Sequence, residues 1–300
     1  MTSTALPEIR KIPFLLAWGT WPLLLIGVMT AIHGAAFHGL AIAPVVGIAT
    51  AVSALVLVAI ETIWPAEARW KMTWRTFLHR DLKYFVLGGG TIAATNFFFA
   101  AIGIKLAENA NGWGAGLPLY LAVPLGIFCV DFLQYWQHRI SHESPSHLGK
   151  FLWRAHVAHH LPEQVYVLMH PAGHPINGFI VRGLVTIVPL YLLGITPEAV
   201  AMATSVIGLQ GLISHANADF RAGWFNYIFV GAELHRYHHS AEPEDAGNYA
   251  AALAVLDVMF GSHVYRIGAL PTRLGVHVPE AYPRSEQIFK VLALPFLKAK

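Results

Sequence analysis

The stretch Leu117–His142, LPLYLAVPLGIFCVDFLQYWQHRISH, decides how the rest of the chain is read. Its first part is apolar enough for the middle of a bilayer, and it closes on Tyr135 and Trp136, side chains suited to the membrane–water boundary. His138 and His142 then follow, four residues apart, so one helical face carries both imidazoles just beyond the apolar run. A membrane helix thus delivers two metal-type ligands to its own end.

Two further clusters lie downstream: His156-Val157-Ala158-His159-His160 and His235-Arg236-Tyr237-His238-His239. In each, the first and last histidines share a helical face and the middle one is offset by about 60° or less. One such helix can therefore offer nitrogen to two adjacent metals. Eight imidazoles exceed the four ligands that close a structural zinc site, so the count points to two metals with open positions for oxygen or water. Imidazole suits Fe, Zn, Cu and Ni alike, which leaves the metal open. The lack of thiolates and the scarcity of nearby carboxylates argue against iron–sulfur clusters, Ca²⁺ and Mg²⁺. Val157 and Arg236 stand where a zinc protease of the H-E-x-x-H type needs its glutamate, which removes that class.

The composition fits a membrane protein. The chain is 55% hydrophobic and 12% charged, with mean hydropathy +0.51, whereas a soluble domain carries about 25% charged residues. Ile12 to Ile60 contains no Asp, Glu, Lys or Arg, room for two spans of about 20 residues each, broken at the softer His33–Gly39. Spans are expected near Pro13–Ile32, Leu40–Trp64, Tyr84–Ile104 and Leu117–Tyr135. A short apolar hairpin follows, Phe179–Leu193 and Ala199–Leu212, joined at Gly194-Ile195-Thr196-Pro197. The expected fold is all-α: an integral membrane protein with about four transmembrane helices, that short hairpin, and a cytoplasmic helical histidine-rich cap. Residues 1–116 are expected to form N-terminal membrane helices, 117–266 the histidine-bearing domain and 267–300 a C-terminal tail.

Charge asymmetry sets the orientation. Arg69, Lys71, Arg75, Arg80 and Lys83 crowd the loop after the second span, while the loop after the third has Lys105 against Glu108. The N-terminus and all three histidine clusters therefore fall on the cytoplasmic side, of the inner membrane if the source is bacterial. The net charge of +3 and pI near 9.0 reflect residues flanking spans, not a nucleic-acid surface. Cys129 is alone, so no intrachain disulfide forms. Arg10-Lys11 ahead of a long apolar run indicates a retained anchor rather than a cleaved signal.

Other polar residues carry lesser expectations. Asp131, a carboxylate in an apolar run, is costly unless paired; the role expected is to accept an imidazole N–H, with pairing to Arg139 as the alternative. Asp257 is assigned the same role. His170 and His174 fit a turn built on two prolines, His147 a solvated loop, and His33 and His38 the opposite membrane face. Phe97–Phe99 is expected in lipid or core.

Together these residues resemble a known family. Asp131-x-x-x-Tyr135-Trp136-x-His138-Arg139-x-x-His142, the H-V-A-H-H cluster, His215-Ala216-Asn217, Glu233-Leu234-His235-Arg236-Tyr237-His238-His239-Ser240, Asn248-Tyr249 and Asp257-Val258-Met259-Phe260-Gly261 are similar, in order and spacing, to the fatty acid hydroxylase / sterol desaturase superfamily. The resemblance covers Leu117 to Val264. It implies a histidine-ligated centre of two iron ions that uses O₂ and external electrons to hydroxylate or desaturate a membrane lipid. By motif match it assigns His138, His142, His156, His159, His160, His235, His238 and His239 as ligands, with His215 as a ninth. Three departures leave the lipid class open: Asp219 replaces a further histidine, and so is itself a possible ligand, as is His174; Leu256 replaces a tryptophan; and Ala172 replaces an arginine. No dinucleotide fingerprint is present, so electrons come from a ferredoxin, cytochrome b5 or reductase, for which Arg75, Arg80, Lys150 and Arg154 offer a docking face. The rival function is divalent-metal binding or transport, which needs polar ligands in mid-span; Asp131 alone qualifies.

Overall fold

The computed structural model describes residues 9–297 apart from 110 and 111, with helical residues 100–109 described through their backbone alone. Among the described residues it is all-helical, with no strand beyond one isolated bridge between Ser240 and Leu274. Helices α1 (Phe14–Phe37) and α2 (Ile42–Ile63) form the first antiparallel pair. Helix α3 (Leu82–Asn109) follows an exposed aromatic segment, Trp74 to Phe77. Helix α4 (Leu119–Glu143) is the helix quoted above.

Four helices are long and apolar enough to cross a membrane: α1, α2, α4 and α6 (Pro175–Leu193). Three coincide with expected spans. The expected span Tyr84–Ile104 lies in α3, partly beyond the residues with described side chains, as does most of the following loop. The fourth was expected only as the short first arm of a hairpin. It starts earlier than its hydropathy suggested because Pro175 occupies the first helical position and the His174 side chain accepts the N–H of Ile176 at 3.1 Å. The corner to α7 (Pro197–Ser214) uses the signals present in the sequence. Gly194 ends α6 at φ +61°, Thr196 accepts the N–H of Ala199 at 3.2 Å, and Pro197 opens α7.

The spans bury narrow stripes, such as Ile32 and Leu57, and expose broad apolar faces; Phe14 is 73% and Ile48 66% exposed. Apolar surface of that extent is not sustained in water and marks a lipid-facing belt. Phe99 is buried against Phe179, while Phe97 points outward.

Beyond the belt, α5 (His147–His160), α8 (Ala232–His238) and α9 (Ala254–Phe260) pack over the ends of α4 and α7, and the turn Val167–Met169 meets α2. The C-terminal segment is part of this cap: Val276, Val291 and Leu294 share a core with Val157 and Ala158. Glu61, at the end of α2, fastens the cap to the membrane helices. Its carboxylate accepts the N–H of Val167 at 3.1 Å and of Asn217 at 2.9 Å. Asn217 in turn exchanges two hydrogen bonds with the Glu67 backbone, and the buried Arg236 donates to the carbonyls of Ala216 and Ala218.

Glu61→Ala leaves two buried N–H groups without acceptors and is expected to cost about 2 kcal/mol or more. Thermal unfolding in detergent should show a clear drop in Tm, with Glu61→Gln intermediate. An unchanged Tm for the alanine variant would refute the clasp.

Candidate metal centre

Four elements converge above the membrane helices. The end of α4 supplies His138 and His142, α5 supplies His156, His159 and His160, and the turn after α7 supplies His215; α8 with its cap supplies His235, His238 and His239. These nine sort into two groups, His138–His142–His156–His160–His238 and His159–His215–His235–His239, with the ligand atoms of each within 4.8 Å of one another. Each H-x-x-H-H cluster divides as helical periodicity requires. His156 and His160 enter the first group and His159 the second, while His235 and His239 enter the second and His238 the first. The rings of His160 and His239 stack at 4.6 Å between centroids and join the two groups.

The nitrogens face one another at close range. In the first group, Nε2 of His156 lies 2.9 Å from Nε2 of both His138 and His160. In the second, Nε2 of His215 lies 3.0 Å from that of His159 and 3.1 Å from that of His235, which is 3.1 Å from that of His239. Backbone carbonyls dictate which nitrogen carries the proton. Nδ1 of His138 donates to Tyr249 O (2.7 Å), of His159 to Ala172 O (2.9 Å), of His215 to Gly211 O (2.7 Å) and of His238 to Gly247 O (2.8 Å). A neutral imidazole protonated at Nδ1 has a bare lone pair at Nε2. His159 and His215 therefore aim two lone pairs at each other across 3.0 Å with no proton between them. Burial, the main cause, lowers the pKa of His159 and of His215, so neither takes up a proton to relieve the repulsion. A cation between them does. Metal–nitrogen bonds of about 2.1 Å at right angles place neighbouring nitrogens about 3.0 Å apart, whereas a tetrahedral site spreads them to about 3.4 Å. The buried Nε2 atoms of His142 and His238, which have no hydrogen-bond partner, fit the same cation in the first group.

The carboxylates act differently from expectation. Neither Asp131 nor Asp257 touches an imidazole. Asp131 accepts the N–H groups of Ala251 (2.8 Å), Ala252 (3.1 Å) and Leu253, and Asp257 those of Tyr249 (2.7 Å) and Ala250 (3.1 Å). Five consecutive N–H groups of a non-helical segment, entered through Asn248 at φ +58°, have no backbone partner and end on two buried carboxylates. Burial raises the pKa of Asp257 to about 6, against the lowering by its Ser262 and backbone hydrogen bonds. The Tyr249 carbonyl holds His138, and the N–H of the same peptide unit, that of Ala250, ends on Asp257, so this carboxylate orients that ligand through one peptide unit. Arg139 does not pair with Asp131; it bonds Glu143 at 2.7 Å and Tyr135 at 2.9 Å.

Asp219 is held by Arg221 at 3.0 Å and belongs to neither group. His174 caps α6 and donates to Leu292 O at 3.1 Å, away from both groups. His147 is exposed, and His33 bonds Glu198 at 2.7 Å, far from the centre. His170 has more than a turn role. Its Nδ1 lies 3.1 Å from Nδ1 of His215, in space kept open by Gly211, where a Cβ would come within 2.8 Å of the His170 ring. Gly211, one turn before His215, was the sequence sign of that neighbour.

Two outcomes follow from this geometry. Burial lowers the pKa of His170 from its ordinary 6.5 to about 4, and those of His235 and His239 well below 6.5. As pH falls through 6.5, the unfolded chain binds protons that the folded chain refuses, so stability and metal affinity decline together. Elemental analysis after dialysis should find metal retained at about pH 7 and released at about pH 5; equal retention at both would contradict the site. Asp257→Asn, which loosens the carbonyls serving His138 and His238, should cost metal from the five-histidine group first. The metal content per chain would then fall towards half of the wild-type value rather than to none.

Comparison with known proteins finds a family and several relatives. Residues 123–262 match the fatty acid hydroxylase family model. The chain is 33% identical over 212 residues to ornithine lipid hydroxylase OlsE of Rhizobium tropici, covering 67% of this chain and 62% of the relative. It is 28% identical over 189 residues to methylsterol monooxygenase 2-2 of Arabidopsis thaliana (60% and 65%), and 27% identical over 135 residues to very-long-chain aldehyde decarbonylase GL1-11 of Oryza sativa subsp. indica (44% and 48%). The chain thus spans less than two thirds of the length of each. No solved structure matches it. The matched stretch contains every histidine of both groups, and the chain belongs to the fatty acid hydroxylase / sterol desaturase superfamily.

Proposed function

We propose that this protein oxidises a membrane lipid, by hydroxylation or desaturation, at two iron ions held by the nine histidines, with O₂ as co-substrate. The observation that carries this is the pair of bare nitrogens of the half-buried His159 and the buried His215, 3.0 Å apart, which calls for a cation beside a second nest of five imidazoles. The bound irons would supply O₂ activation and abstraction of hydrogen from an unactivated C–H bond. The chain's residues do the rest. The four backbone carbonyls hold His138, His159, His215 and His238 in the ligating tautomer, and burial keeps the imidazoles neutral and the centre dry. The apolar belt gives a lipid lateral access from the bilayer. OlsE is named for an ornithine lipid, which favours a polar-headed membrane lipid here. Basic residues after α2 favour a cytoplasmic centre, in a bacterial inner membrane, supplied with electrons by an external donor. Metal transport is disfavoured because Asp131, the mid-span carboxylate, is occupied by three backbone N–H groups.

Comparative lipid mass spectrometry of cells expressing the wild type and His159→Ala tests this. A lipid gaining about 16 or losing about 2 mass units in the wild type only is expected, one oxygen inserted or two hydrogens removed. Identical lipid profiles across all classes would sink it.

A further inference from the structure

One guanidinium sits inside the membrane belt without a counter-ion. Arg182 is the sole charged side chain of α6, seven residues past Pro175 and so about 10 Å along the axis from the cap end of that helix. Arginines turned inward elsewhere have partners. Arg80 is 3% exposed and bonded to Asp81 and Tyr166, so it is no part of a docking face, contrary to the sequence expectation; Arg236 meets two carbonyls. Arg182 donates from Nε to Oδ1 of Asn96 in α3 at 2.8 Å, and no carboxylate lies within ion-pair distance of it among the described residues. Glu108, the acidic residue of α3, stands twelve positions beyond Asn96, about 18 Å further along that helix.

The two helices run parallel and close. Gly178 lies against Thr91 and Gly183 against Phe99, where a Cβ on Gly183 would run into the ring. Around Arg182 the backbone of α6 widens into π-helical turns, Ile180–Ile187, with the Thr186 hydroxyl bonded to the carbonyl of Val181 at 2.9 Å. Such turns recur at functional positions in helices. The rings of Phe98, Phe99 and Phe179 cluster at 5.2, 5.4 and 5.6 Å between centroids beside the Arg182–Asn96 pair, with Phe98 and Asn96 exposed towards lipid. Helical side chains lean towards the helix N-terminus, which for α6 is the cap end, where His174 bonds Leu292. Arg182 therefore reaches up towards the depth of the lipid head groups. We propose that Arg182 and Asn96 seat the phosphate of a bilayer lipid, whose acyl chains lie against the Phe98–Phe99–Phe179 wall.

The chemistry of the pair selects the ligand. With Nε fixed on Asn96, the terminal nitrogens present a fork that matches two oxygens of one phosphate. Asn96 accepts through Oδ1, which leaves its own amide N–H groups free to donate to the same anion. An arginine that merely snorkels to water needs no asparagine to fix its Nε. A guanidinium bare in hydrocarbon is costly, and a phosphate tethered to acyl chains is the anion present at that depth. The site is independent of the metals and of the reaction assigned to them.

The test titrates the full-length protein, delipidated in neutral detergent, with dioleoylphosphatidylglycerol or with dioleoylglycerol, which has the same chains and no phosphate. Native mass spectrometry counts the bound lipid. The wild type should hold one phosphatidylglycerol per chain about tenfold more tightly than dioleoylglycerol. Arg182→Gln should abolish that preference, and Arg182→Lys, a point charge without the fork, should keep part of it. Asn96→Ala truncates an exposed side chain, so it should leave Tm in lipid-free detergent unchanged yet weaken phosphatidylglycerol binding several-fold. Equal binding of the two lipids by the wild type, or an undiminished preference in Arg182→Gln or Asn96→Ala, would overturn the proposal. Millimolar inorganic phosphate should not displace the lipid; displacement would make the ligand a soluble anion and likewise overturn it.

Discussion

The constraint on which this structure depends is the burial of unprotonated imidazole nitrogens that face one another. Nε2 atoms 2.9–3.1 Å apart, several with their rings' only proton committed to a carbonyl elsewhere, repel unless a cation lies among them. In the metal-free chain the rest of the fold must hold them against that repulsion. The clamps seen around the centre, Glu61 on two turns, Arg236 on the carbonyls of Ala216 and Ala218, and two carboxylates on five N–H groups, are of the strength such a task needs. Glu61 and Asp131 are met by backbone N–H groups, Asp257 by backbone N–H groups and the Ser262 hydroxyl, and Arg236 by two carbonyls, hydrogen bonds of the kind that make buried polar groups tolerable.

How much of this could be read from the chain follows from the range of the signals involved. Three of the four membrane-length helices and the division of each H-x-x-H-H cluster between two groups are consequences of local periodicity, and these were legible. His215, outside the clusters, came from family resemblance rather than spacing. The partners of the imidazole N–H groups were not legible, because any residue offers a carbonyl and nothing local says which one approaches. Asp131 illustrates the limit. A carboxylate in an apolar run must find donors, but its donors lie 120 to 122 residues away in a segment that only the tertiary fold brings near. Arg80 failed for the same reason: its charge count suited a surface, and Asp81 with Tyr166 drew it inside.

The two histidine groups are supported from different sides of the fold. His138 and His238 lean on the carbonyls of Tyr249 and Gly247, hence on Asp131, Asp257 and Asn248, and this group also borders Trp153. His159 and His215 lean on Ala172 and on Gly211 within α7, with His170 packed behind. A change in the 247–257 segment therefore reaches one metal position first, and a change in α7 the other.

That difference bears on how a centre of nearly identical ligands can divide its work. The five-histidine group has more nitrogen donors and packs against the Trp153 ring, whose centroid lies 4.9 Å from that of His142. The four-histidine group has one donor fewer, and its His215 follows α7 much as His138 and His142 of the five-histidine group end the spanning helix α4. Asp219, drawn away by Arg221, adds no donor to it.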